Sequence, residues 1–305
     1  MSPTEPVPAS RGTAPAGRIH DISYRHLDAA LAPGRRRFWP ITRRGIVTLY
    51  RRSRFVRVLL WLAWAPALVK GVQIYIARSV DQMPSLGRLA SQTGLLRIDA
   101  EFLLGAALGQ GLWLWLALLA CARLISDDLK AGALQVYLAK PITRLDYVLG
   151  KAGVVGGLLG MVLVLPTLAV YLTAVLLNPD GSFLRQHGWA LVPLLGFELF
   201  VIATLTLLVL GLSSLSVSGA FVTVLLLGAY LFSEAVGGIL GAIYRDPRLQ
   251  LLGLWTNYEQ IGHALFGLTP PHPVPAAVSA AITLGLAGLA ALVLRWRVRA
   301  VQVVA

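Results

Sequence analysis

Residues 122–151, ARLISDDLKAGALQVYLAKPITRLDYVLGK, form a charged, patterned segment wedged between two long apolar runs. Ile125, Leu129, Ala133 and Val136 recur at helical spacing, and Asp127, Asp128 and Lys130 cluster away from them, which predicts a short amphipathic helix. Pro141 is expected to stop it, because proline lacks the N–H that a helix interior needs. Thr143 followed by Asp146 has the form of a capping box. A second helix is therefore expected to start there and to run through Lys151 into the next apolar run. The two helices meet at a proline corner.

What flanks the corner follows from composition. The chain is 56% hydrophobic and 13% charged, with a mean hydropathy of +0.70, outside the range of ordinary soluble domains. Six runs are long enough to cross a hydrocarbon core of about 30 Å, which takes about 20 helical residues. They lie near 56–77, 100–121, 152–177, 190–212, 217–241 and 274–294. None alternates polar with apolar residues as barrel strands do, so the expected fold is all-α: a polytopic membrane protein with six transmembrane helices. Residues 1–39, rich in Pro, Ala, Ser and Arg, read as a disordered basic tail, and 40–305 as the transmembrane domain. Nothing long and apolar precedes Phe55, so no cleavable signal peptide is expected. Within 40–55, Ile46, Val47, Leu49 and Tyr50 alternate with Arg43, Arg44, Arg51, Arg52 and Arg54, predicting a basic amphipathic helix at the interface.

Basic residues orient the spans, because loops rich in Lys and Arg stay on the cytoplasmic side. Segment 35–57 holds nine, 122–151 five and 295–305 three, whereas the loops on the other side hold six: Arg78, Arg88, Arg97, Arg185, Arg245 and Arg248. Both termini and the corner are thus expected inside a cell. The net charge of +13 invites a nucleic-acid reading, but no aromatic stacking platform is interleaved with the arginines. A lipid bilayer with anionic headgroups is the better partner.

An acidic pair, then Gly132-Ala133-Leu134, Lys140-Pro141-Ile142-Thr143-Arg144 and Leu149-Gly150-Lys151 closely resembles the cytosolic segment between the second and third spans of ABC-2 type permeases. Asp127 or Asp128 stands where many members carry Glu, and Ala133 where Thr is common. The resemblance extends over residues 40–300 in span number and spacing. It implies a permease subunit of an ATP-driven transporter, an exporter rather than an importer, in a prokaryotic cell membrane. Its partners would be a cytosolic ABC ATP-binding subunit and a second permease copy. Ile125, Asp127, Asp128, Leu129, Gly132, Leu134, Pro141, Arg144 and Lys151 would couple the spans to that subunit. No Gly-x-x-x-x-Gly-Lys-Ser/Thr loop occurs, so no cofactor is expected in this chain, and ATP and Mg would be bound by the partner.

Three charges fall well inside spans, away from their ends, where each needs a reason. Lys70, Glu198 and Glu234 lie roughly 9 to 12 Å below the outer surface at 1.5 Å per residue. Equal depth would let Lys70 pair with either carboxylate and gate the pathway; a static pair or snorkelling is the alternative. Glycines 156, 157 and 160, and 237, 238 and 241, are expected to mark close helix packing. The exterior stretch 242–273, with Tyr244, Trp255, Tyr258 and Phe266, suits short helices half buried at the outer interface or dipping back into the bilayer. An intramembrane enzyme or a non-transporting scaffold are the competing classes. The first lacks a His-Glu-x-x-His or Gly-x-Ser-x-Gly element and has one cysteine, Cys121, which reads as a packed residue.

Overall fold

The computed structural model describes residues 37–80, 97–133, 142–178 and 180–298. The tail through residue 36, and Leu134, Val136 and Pro141 of the corner, lie outside the described residues. Among the described residues there is no strand, and six helices are long and apolar enough to span a membrane. The protein is an all-α, multi-pass membrane protein. Span one is Arg54–Ser79, span two Ala100–Lys130, span three Arg144–Leu176, span four Ser182–Leu215, span five Gly219–Tyr244 and span six Ala276–Arg297.

Proline and glycine interrupt several spans. Span one breaks at Ala63–Trp64, just before Pro66. Span two breaks at Gly109–Gln110, where the Gln110 N–H reaches the Ala107 carbonyl in a tighter turn. Span three breaks at Leu163, where Pro166 supplies no N–H to the preceding turn. Spans two, three and four form the centre: in their most apolar stretches 50–56% of residues are buried, against 22%, 17% and 28% in spans one, five and six. The outer three therefore present most of their apolar surface to whatever surrounds the chain.

The helix expected over 40–55 is Phe38–Arg52, ending at the extended residue Ser53, whose hydroxyl accepts from the Val56 N–H and starts span one. It packs lengthwise against the start of span three. Ile41 lies on Gly150, Thr42 on Gly153 and Ile46 on Gly157, each so close that a methyl group on the glycine would come within 3 Å of the facing side chain. The Thr42 hydroxyl also donates to the Gly150 carbonyl at 3.0 Å. Of the glycines read as packing sites, Gly157 and Gly241 have such neighbours, Gly237 lies against the backbone of Gln250 and Gly253, and Gly156 is in ordinary contact with Ile202, whereas Gly160 and Gly238 face open space among the described residues.

A Gly153→Val substitution should force this N-terminal helix off span three at a cost of about 1–3 kcal/mol. Limited trypsinolysis at its arginines should then run roughly tenfold faster than in the wild type; an unchanged rate would mean that the glycine stripe does not hold the helix.

Candidate functional site

The corner is built from short, mutually dependent contacts. Span two runs into a turn at Ala122–Ile125 and ends in the helical turn Ser126–Lys130. Ala131 closes this turn and Gly132 follows with φ +64°, a left-handed conformation that glycine adopts freely. A left-handed step, which periodicity does not register, therefore interrupts the predicted helix after Lys130; Ala133 is helical again, and Val136 lies outside the described residues. The restart is as expected: the Thr143 hydroxyl accepts from the Asp146 N–H at 3.1 Å, and the Asp146 carboxylate accepts from the Thr143 N–H at 3.0 Å.

The two arms are tied by one buried polar cluster. Lys151 Nζ lies 2.7 Å from Asp128 Oδ2, with the two side chains 11% and 19% exposed. The Tyr147 hydroxyl donates to the same Oδ2 at 2.8 Å, and Lys151 donates to the Leu124 carbonyl at 3.0 Å. Span four joins through Ser213, whose hydroxyl accepts from the Ile125 and Ser126 N–H groups at 3.0 and 3.2 Å, satisfying donors at the start of the helical turn. Arg297 of span six donates to the Ser214 and Leu215 carbonyls at 3.2 and 2.7 Å, at the end of span four. Spans two, three, four and six thus converge on one end of the bundle.

This geometry separates the sequence-predicted site residues into two groups. Ile125 is fully buried and Leu129 packs against the core, so both anchor the corner inward. Asp128 and Lys151 face each other. Asp127, Lys130 and Gly132 are exposed, as is Arg144, with Leu145 beside it 73% exposed. Asp127 pairs at 3.4 Å with Arg123 one turn earlier, both in water. Among the described residues of the corner, Asp127, Lys130, Gly132, Arg144 and Leu145 lie on its exposed side. Tyr147 was not singled out by sequence, although it stands four residues before Lys151 on the same helix face.

Lys70, Glu198 and Glu234, which equal depth would let pair, form no ion pair with one another among the described residues. Lys70 Nζ sits 4.3 Å from the centroid of the Phe102 ring, a cation–π contact with span two. Glu198 is fully buried, hydrogen-bonded through Oε1 to the Thr167 hydroxyl beside the span-three break, and its Oε2 has no partner among the described residues.

Glu234 has a different task. Residues 247–265 fold back into the bundle as a 3₁₀ helix, Pro247–Leu252, and an α-helix, Leu254–Leu265. Glu234 accepts from the Trp255 N–H at 2.5 Å and the Thr256 hydroxyl at 3.2 Å, so a span-five carboxylate caps the start of the inserted helix and faces the positive end of its dipole. Gly253, the residue before that helix, leaves room: a Cβ there would lie 2.5 Å from Glu234 Oε2. Gly237 and Gly241 let the 3₁₀ helix approach span five. Trp255 packs on Gly111 beside the break in span two. Tyr258, fully buried, shares a 2.8 Å hydrogen bond with Thr204, midway along the 25-residue helix Leu191–Leu215. The hairpin thus reaches the middle of the bundle. Asn257 and Gln260 hold its turns, Asn257 donating to the Leu251 and Gly253 carbonyls and Gln260 to those of His272 and Val274.

Comparison with models of protein families gives no match to the chain, and comparison with curated proteins gives none.

Asp128→Asn leaves Lys151 facing an uncharged group in a largely dry site and should cost about 2–3 kcal/mol, below the full cost of a wholly buried pair because some water reaches both side chains. Asp127→Asn, at an exposed pair, should cost under about 0.5 kcal/mol. Unfolding of the two purified variants checks this, and equal losses would contradict the distinction. Separately, Glu234→Ala should raise amide exchange in residues 254–257 roughly tenfold, equivalent to about 1.4 kcal/mol of lost capping. Exchange confined to its wild-type rate would remove Glu234 from that role.

Proposed function

We propose that this chain is the membrane-spanning permease subunit of an ATP-driven transporter of the ABC-2 type, exporting its substrate across a prokaryotic cell membrane with both termini in the cytoplasm. Two permease copies work with cytosolic ABC subunits that bind ATP and Mg. The observation that carries this reading is the corner. An exposed patch with both signs of charge is fastened by short polar contacts to spans two, three and four, so that a push on the patch is delivered to the centre of the bundle and not absorbed by a loose loop. ATP-driven closure of the partner pair then biases the spans between inward- and outward-open arrangements, the work coming from its different contacts with the two.

Two further features support it. Basic residues gather at the corner end, as the positive-inside rule asks of a cytosolic face. At the opposite end the inserted hairpin fills the bundle to mid-depth, which suits a closed outer gate. The little-buried spans one and five offer faces for lipid and for the second copy.

The test is co-purification of the chain with the ABC ATP-binding subunit encoded beside it. The variant is Asp127→Lys with Lys130→Glu, which reverses charge on the exposed patch and leaves the Asp128–Lys151 clamp intact. We expect at least a tenfold loss of association, about 1.4 kcal/mol or more, and loss of reconstituted ATP turnover, with the melting temperature of the permease unchanged. Wild-type association and turnover in this variant would refute coupling through the corner, and a wild-type chain with no ATP-binding partner would favour the scaffold class.

A further inference from the structure

The elbow between the N-terminal helix and span one combines an open apolar groove with a cluster of arginines that form no ion pair among the described residues. The groove has a volume of about 420 Å³. Its floor includes Leu49 of the N-terminal helix, Val56 and Leu60 of span one and Leu158 of span three, and Tyr50 and Arg51 stand on it from the last turn of the N-terminal helix. Arg52, Arg54 and Arg57 follow within the next six residues and are exposed.

No acidic residue occurs from Ala29 to Val80. None of these four arginines belongs to the ion pairs found among the described residues. The helix dipole accounts for Arg51 and Arg52, which lie at a helix C-terminus. It opposes Arg54 and Arg57, which occupy the first turn of span one, where no acidic residue is present. An anion at the elbow would offset both that repulsion and the clustering of like charge. The level is right for a headgroup: Arg54 opens a 26-residue span, about 39 Å long at 1.5 Å per residue, so it falls just outside a hydrocarbon core of about 30 Å. An apolar groove at the same level calls for a ligand that carries an alkyl chain as well as a negative charge.

We propose that the elbow is a binding site for one anionic phospholipid of the corner-side leaflet. Its phosphate meets the Arg51–Arg57 cluster, and an acyl chain lies in the groove between the N-terminal helix and spans one and three. The bound lipid wedges the N-terminal helix against span three and makes its docking depend on lipid charge.

The experiment is native mass spectrometry and thermal unfolding of the full chain in detergent with added dioleoyl-phosphatidylglycerol or dioleoyl-phosphatidylcholine. Two variants are compared with the wild type: Arg51→Gln with Arg54→Gln, which leaves the groove intact, and Leu60→Trp, which fills the groove and leaves the arginines intact. The wild type should retain phosphatidylglycerol at least tenfold over phosphatidylcholine and gain melting temperature from it alone. Both variants should lose that preference and the gain. Glycerophosphoglycerol, the headgroup without chains, should not displace the lipid. Equal retention of the two lipids by the wild type would overturn the site. So would an unaltered preference in either variant, or displacement by the chainless headgroup. Since the arginines are exposed, the double Gln variant keeps its fold, and its outcome decides even if Leu60→Trp fails to fold.

Discussion

Lys151 and Asp128 are held 2.7 Å apart with most of both side chains out of water, and the arrangement of the corner depends on that contact. Removing two charges from water costs several kcal/mol per ion, and mutual attraction repays it only when the remaining donors and acceptors are also satisfied. Here the second donor to Asp128 is the Tyr147 hydroxyl and the second acceptor for Lys151 is the Leu124 carbonyl. Tyr147 and Lys151 belong to span three, Leu124 and Asp128 to the end of span two. Neither arm can therefore shift by more than about an ångström without stranding a charge. The contact ties the ends of spans two and three together, and it explains why Asp128, although part of an acidic pair in sequence, is largely withdrawn from solvent.

The inserted hairpin obeys the same rule at the other end of the bundle. Irregular backbone at membrane depth is tolerated only where protein satisfies its polar groups. Asn257 donates to two carbonyls around the 3₁₀ turn, Gln260 to two in the stretch leading to span six, and Glu234 covers the free N–H of Trp255. Each of these side chains would be costly if buried alone. Together they make a 19-residue excursion, 247–265, compatible with an apolar surround.

Different parts of this structure were legible in the sequence to different degrees, for physical reasons. The six spans were readable because a run of about 20 apolar residues has few other uses, and the restart at Thr143 because a capping box is local. The interruption of the corner helix at Gly132 was not, because a left-handed residue leaves no mark on a periodic signal that continues past it. Nor were the partners of Lys70 and Glu234. Equal depth in a bilayer limits which charges can meet but does not say that they do. Lys70 settled on the Phe102 ring, and Glu234 found backbone N–H and hydroxyl donors 21 and 22 residues onward. Helix-terminal N–H groups are invisible in a residue alphabet that assigns charge only to side chains.

Span four is the element that both ends share. Its Ser213 hydroxyl accepts the two N–H groups that open the corner turn, its Thr204 meets Tyr258 of the inserted helix, and its Glu198 meets Thr167 beside the break in span three. Thr204 and Ser213 are nine residues apart, about 13.5 Å along the axis, and an α-helix is stiff over that distance. Any displacement of the corner along span four must therefore either break the paired Ser213 contacts or carry Thr204 with it. In the second case Tyr258 follows, or a fully buried hydroxyl loses its partner at a cost of about 1–3 kcal/mol. The corner and the inserted helix are joined by a single rigid lever whose polar contacts lie at its end and its middle. The break at Leu163–Pro166, where Thr167 touches Glu198, is where span three is best able to bend around it.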